Sequence, residues 1–124
     1  VNPKLASTLD AAALCKMADR GQIAGGLLDG PLAFDNAISA EAARIKGIRS
    51  EVSGDADILL VPDLESGNML AKQLEYLGGA ASCGIVLGAR VPIALTSRAD
   101  GEASRLASAA LAARLALAWR ERRP

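Results

Sequence analysis

Three observations predict an α/β fold for this sequence. Stretches whose apolar residues recur at helical spacing alternate with short aliphatic runs. Residues 58–61, Ile-Leu-Leu-Val, are apolar at every position, as a strand covered on both faces requires. Glycine, proline and aspartate punctuate the joins, where the chain must turn. With 51% hydrophobic and 23% charged residues among 124, the chain has enough apolar surface for a packed core.

The elements follow in order. Ser7 or Thr8 is placed to cap a first helix that runs to about Asp19 and stops at Gly21, with Leu9, Ala13 and Met17 on one face. Residues 22–28 form a short apolar run ending in the turn Asp29-Gly30-Pro31. Residues 33–39 read equally as helix or loop. Ser39 then caps a short helix to about Lys46, closed by Gly47. The buried strand at 58–61 stops at Pro62. The polar loop from Asp63 to Asn68 opens a helix with the stripe Leu70, Leu74 and Leu77, closed by Gly78-Gly79. Residues 85–87 and 92–95 are two further short strands, buried on both faces. A last helix runs from about Gly101 to Arg120, with one apolar stripe through Leu106, Ala110 and Leu117 and a second through Leu111, Leu115 and Trp119. The residues 120–123 form a charged end, with cations complementing the helix dipole.

Composition removes several function classes. Lys and Arg total 14, Asp and Glu total 14, and aromatics make up 2%, which argues against a nucleic-acid module with its basic stripe and stacking platforms. The absence of histidine excludes His-based triads, His metal ligands and a His general base within this chain. Cys15 and Cys83 lack C-x-x-C spacing, so they read as two buried reduced thiols in a cytoplasmic protein, not a zinc site or a disulfide. No apolar run is long enough to span a bilayer. A chain opening Val-Asn-Pro-Lys reads as a piece of a longer protein.

In α/β sheets functional groups collect in loops beyond the carboxyl ends of strands. Three such loops stand out. In Thr96-Ser97-Arg98-Ala99-Asp100 a strand gives way to a long helix, whose first N–H groups favour an anion. Arg98 adds a planar fork suited to phosphate, Ser97 a hydroxyl, and Asp100 a proton acceptor. The same residues also fit a plain S-x-x-D helix cap with a solvated arginine. In residues 62–68, Gly67 lets a ligand approach the backbone and Asn68 both donates and accepts; from the residues alone a proline-initiated turn with an Asp or Ser cap fits better. In residues 29–36, Asp29 and Asp35 supply two carboxylates, for acid/base work, for magnesium, or for a turn followed by a cap.

Taken together, LLDGPLAFDNAIS, GDADILLVPDLESGNMLAKQLEYLGGA and PIALTSRAD resemble, in this order and spacing, the C-terminal part of the phosphate acetyltransferase/phosphate butyryltransferase family. The resemblance runs from about Thr8 to Ala112. Its wording is similar to the butyryltransferase-like branch and to the transferase portion of bacterial proteins that fuse an enoyl-CoA hydratase-type domain to a phosphate acyltransferase.

The resemblance implies transfer of an acetyl or short-chain acyl group between coenzyme A and inorganic phosphate, with coenzyme A as substrate and no metal or other cofactor. It implies a three-layer α/β sandwich of the isocitrate/isopropylmalate dehydrogenase-like type. Residues 1–83 would belong to a second, inserted lobe and residues 84–124 to the segment returning to the first. Carried over by position, Arg98 would hold the phosphoryl group and Ser97 would steady the oxyanion. Where the acetyl branch places an aspartate this sequence has Ser104, so Asp100, ahead of Glu102, is the preferred base. Asp63, Gly67 and Asn68 would line the cleft; Asp29, Gly30, Pro31 and Asp35 would shape it. A homodimer or larger assembly in the cytoplasm is expected, with no nucleic-acid or membrane partner. The isolated chain is expected to be catalytically silent and prone to self-association. Two competing classes are a degenerate transferase domain kept for assembly or ligand binding, and a decarboxylating hydroxy-acid dehydrogenase of related fold.

Overall fold

A computed structural model describes residues 1–121; the part of the charged end at Arg122 and Arg123 lies outside the described residues. The chain forms two compact units, one over Val1–Leu64 and one from Glu65 onward. Both helices and strands are present, so the α/β class holds.

The first unit is helical. Helix α1 (Ala6–Asp19) begins ahead of the expected caps, and Leu5 stands at its N-cap without a side-chain bond. Thr8 is occupied elsewhere: its hydroxyl accepts from the Asn2 N–H at 2.9 Å and faces the Leu5 carbonyl at 2.9 Å. Gly21 turns the chain out of the helix at φ 72°, a conformation a side chain disfavours. The turn at Asp29 is built as read, with Asp29 Oδ1 accepting from the Gly30 N–H at 2.8 Å and a cis Gly30–Pro31 bond. Helices α2 (Phe34–Ile38) and α3 (Ala40–Ile45) resolve the ambiguous stretch after it, with Ser39 between them. Ser39 Oγ accepts from the Ala42 N–H at 3.2 Å, the cap the sequence predicted.

This unit's core is small: Asn36, Ala37 and Ala43. Residues 53–56 close over it. Ser53 Oγ donates to the Asn36 carbonyl at 2.9 Å, and the N–H groups of Gly54 and Ala56 donate to the Ala37 carbonyl at 3.2 and 3.1 Å. Gly54 must be glycine for two reasons: its φ is 95°, and a Cβ there would lie 2.6 Å from the Ala40 Cα.

The second unit combines a hairpin and helices. Helix α4 (Leu64–Tyr76) starts earlier than expected, so Gly67 and Asn68 lie inside it and not in a loop. Its closure at Gly78-Gly79 is as read, with Gly79 at φ 66°. Strands β1 (Gly84–Val86) and β2 (Ile93–Leu95) pair antiparallel, with Gly84 opposite Leu95 and Val86 opposite Ile93. Helix α5 (Glu102–Glu121) packs on both strands. Ser108 fastens it: with 0% of its surface exposed, its hydroxyl donates to the Ser104 carbonyl at 2.8 Å and accepts from the Gly84 N–H at 3.0 Å.

Several expectations fail. Residues 22–28 and 58–61 are not strands. A strand exists by pairing its backbone groups, and among the described residues none runs alongside either segment. Ile58 is 85% exposed and Leu60 77%, the reverse of burial on both faces. β1 is half-buried and β2 exposed, because a two-stranded hairpin on one helix covers a single face. The α4 stripe is no core either, since Leu77 is 86% exposed and Leu74 is also exposed. On α5 the stripe through Leu106 and Leu117 is exposed, while the adjoining Leu115 and Trp119 are half-buried with Ser104. Cys15 is half-buried and Cys83 exposed, so the pair is free but not buried.

Candidate active site

Ser97, Arg98 and Asp100 meet in a single turn between β2 and α5. Hydrogen bonds inside the turn define its shape. The Asp100 N–H donates to the Ser97 carbonyl at 3.2 Å, and Asp100 Oδ2 accepts from the Ser97 N–H at 2.6 Å. Ser97 Oγ accepts from the Ala99 N–H at 3.4 Å, which leaves its own O–H able to donate outward. Ser97 is exposed. Arg98 is exposed too, and its guanidinium has no ion-pair or hydrogen-bond partner among the described residues. The S-x-x-D pairing is thus real, but the helix begins only at Glu102. The pairing shapes a turn ahead of α5 and does not cap the helix, and the hydroxyl of Ser97 and the guanidinium of Arg98 are on exposed residues of that turn.

Two residues that the sequence reading passed over surround this turn. Arg105, one turn into α5, reaches back: its Nε donates to the Asp100 carbonyl at 3.1 Å, and one guanidinium nitrogen to the Ser97 and Arg98 carbonyls at 3.2 and 3.4 Å. Lys72 on α4 points its ammonium at Glu75 (2.7 Å), at Asp100 Oδ1 (3.7 Å) and over the Tyr76 ring (5.5 Å). The Glu75 hydrogen bond, aided by the Glu75 and Asp100 charges, raises the Lys72 pKa. Asp100 is the most enclosed of the three, its side chain 11% exposed.

A signal for each existed. Lys72 is the lysine of PDL-x-x-G-N-x-x-x-K. Arg105 is a cation at the helix end where the dipole disfavours one, so it needed acceptors nearby. Ser108 had no such signal; a serine in an alanine-rich helix is ordinary.

The remaining named residues serve elsewhere. Asp63 is exposed just before α4; within α4, Gly67 is half-buried and Asn68 exposed. In the first unit, Gly30 backs onto α1: a Cβ on it would lie 3.3 Å from the Ala11 Cβ, and the Cys15 thiol donates to its carbonyl at 3.7 Å. Burial, then the charges of Asp29 and Asp19, push the Cys15 thiol pKa up. Asp35 pairs with Lys46 at 2.7 Å and accepts from the Asn36 N–H at 2.9 Å. The Lys46 hydrogen bond holds the Asp35 carboxyl below its usual range. Asp29 also borders an open cleft of 380 Å³ in this unit, with Asp19, Leu28, Arg49 and Val52. Among the described residues no helix is long and apolar enough to cross a membrane.

Known proteins resemble this chain over most of its length. The model of the family described as phosphate acetyl/butaryl transferase matches residues 1–113. A phosphate acetyltransferase from Rhizobium meliloti is 69% identical over 113 residues, 91% of this chain and 36% of the relative. A phosphate butyryltransferase from Clostridium acetobutylicum is 53% identical over 116 residues, 94% of this chain and 38% of that protein. Among solved structures, a branched-chain phosphotransacylase from Enterococcus faecalis V583 superposes with a TM-score of 0.77 at 38% identity, over 91% of this chain and 40% of that one. The chain thus spans well under half the length of the curated relatives it matches.

Proposed function

This chain belongs to the phosphate acetyl/butaryl transferase family, and we propose that the protein carrying it moves an acetyl or short-chain acyl group between coenzyme A and inorganic phosphate. The observation that carries the reading is the Ser97–Arg98 turn, where adjacent exposed residues offer a hydroxyl free to donate and a guanidinium without a partner among the described residues, ahead of a long helix.

The chemistry suits those groups. A phosphate oxygen adds to the thioester carbonyl to give a tetrahedral oxyanion; the oxyanion collapses with cleavage of the C–S bond, and the coenzyme A thiolate that leaves takes up a proton. In reverse, a thiolate attacks the acyl phosphate. Arg98 binds the phosphoryl group through its planar fork. The Ser97 O–H donates to the oxyanion of the tetrahedral intermediate. Neither role calls for a metal or a further cofactor, and coenzyme A is substrate. The thiol's proton needs an acceptor. Asp100 has one carboxylate oxygen on the Ser97 N–H and the other facing Lys72, so in this reading Asp100 holds the turn. Glu102, exposed at the start of α5, takes the proton.

Asp63, Gly67 and Asn68 line the substrate cleft of the whole protein in this reading, and Asp29, Gly30, Pro31 and Asp35 shape its wall. The contacts of Gly30 with α1 and of Asp35 with Lys46 support the shaping role. The whole protein is proposed to complete the three-layer isocitrate/isopropylmalate dehydrogenase-like sandwich, with residues 1–83 in the inserted lobe and residues 84–124 returning to the first. It acts as a homo-oligomer in the cytoplasm.

The test is acyl-CoA phosphorolysis by the full-length protein, with acetyl-CoA and butyryl-CoA. Arg98→Lys keeps the charge and loses the fork, so the KM for phosphate should rise and turnover should fall. A full-length protein with no turnover on either substrate would end this reading.

A further inference from the structure

We propose that Lys72 and Arg105 are positioning residues for the Ser97–Arg98 turn, Lys72 acting through the Asp100 carboxylate and Arg105 through the carbonyls of the turn. The proposal rests on the acyltransferase reading for its consequence in rate; the contacts themselves do not depend on it.

A short turn of exposed residues has little packing to hold it, and here the constraint is electrostatic. Three consecutive links run Lys72 Nζ to Asp100 Oδ1 (3.7 Å), Asp100 Oδ2 to the Ser97 N–H (2.6 Å), and Ser97 Oγ to the Ala99 N–H (3.4 Å). The middle link joins an ionised acceptor to a backbone donor, the stronger kind of hydrogen bond. The first fixes which way that acceptor faces. Glu75 at 2.7 Å and the Tyr76 ring keep the Lys72 ammonium from swinging into solvent. Its side chain is 35% exposed, so screening by water is only partial.

Arg105 works from the opposite end. One planar group contacts the carbonyls of Ser97, Arg98 and Asp100, three of the four residues whose backbone sets the direction of the hydroxyl and the guanidinium. A lysine could not reproduce this, because its ammonium is a single point on a flexible stem. The two cations differ in what they hold, a carboxylate on one side and the backbone on the other. Catalysis needs both, since a displacement of about 1 Å in a reacting group costs on the order of a hundredfold.

The experiment uses the full-length protein and two readouts. In Lys72→Met, kcat for phosphorolysis should fall by about tenfold or more and the KM for phosphate should rise, with the KM for acyl-CoA unchanged; Lys72→Arg should recover most of the loss. In the same variant, amide hydrogen exchange at Ser97 should accelerate by about tenfold or more. Arg105→Lys should give the kinetic loss without recovery, and it decides by the same kinetics should Lys72→Met not fold. Turnover within twofold of the unmodified protein in both variants, or unchanged exchange at Ser97 in a folded Lys72→Met, overturns the proposal. If the unmodified protein itself moves no acyl group, the functional reading fails, and exchange at Ser97 alone decides whether Lys72 holds the turn.

Discussion

The two units use their conspicuous polar residues in opposite ways. In the first, the DGPLAFDN segment turns its groups inward on the protein: Asp35 on Lys46, the Gly30 carbonyl on Cys15, the Asn36 carbonyl on Ser53. In the second, the SRAD turn satisfies its own backbone and leaves the Ser97 hydroxyl and the Arg98 guanidinium facing out. Both segments carry aspartate beside glycine, and in sequence both admit a cap or turn reading beside a site reading. The contrast teaches that the partners of a polar group separate the two uses: groups consumed by local contacts build shape, and groups left over are available to a ligand.

The largest break of this comparison comes from the first unit. Gly54→Ala forces a positive φ on a residue with a Cβ and drives that Cβ into the Ala40 backbone. The expected loss is about 3 kcal/mol or more, read as a fall in denaturant midpoint. An unchanged midpoint would mean that residues 53–56 do not close the core.

Next is the buried hydroxyl of the second unit. Ser108→Ala strands the Gly84 N–H and should cost about 1–3 kcal/mol. Ser97→Ala, by contrast, should leave stability near that of the unmodified protein and lower turnover by about ten- to a thousandfold. If the two serines exchanged these effects, the division between shape and chemistry within this unit would fail.

The cysteines give a smaller, direct comparison of the units. Cys83 is exposed, while Cys15 is half-buried and its raised pKa makes the reactive thiolate scarcer. Iodoacetamide should therefore modify Cys83 roughly tenfold faster, as peptide mass mapping over time would show.

The smallest effect belongs to the Asp35–Lys46 pair, which is solvent-exposed. Its folded pKa lies below the ordinary 3.8, so the pair's contribution is present above that value and fades as pH falls through the lowered one. Asp35→Asn should lower the melting temperature slightly at pH 7. The two proteins should converge in acid.

Local chemistry was legible in the sequence alone. Ser39 caps α3, Gly47 and Gly79 end their helices, and the turns at Asp29 and Ser97 fall where glycine, proline and paired polar residues placed them. Each depends on neighbours within a few residues, and such distances are fixed by covalent geometry. The order and wording of three motifs also determined the family, because that signal lies in residue identity and not in packing. The tertiary structure decided what each face meets. Among the described residues, 58–61 have a strand's composition and no partner to make them one, and the Leu74 and Leu77 stripe finds no cover. Pairing and burial are properties of two segments at once, so one segment's sequence cannot set them. The same holds for Lys72 and Asp100, 28 positions apart in the chain and 3.7 Å apart in space, and for the serine that ties Gly84 to α5.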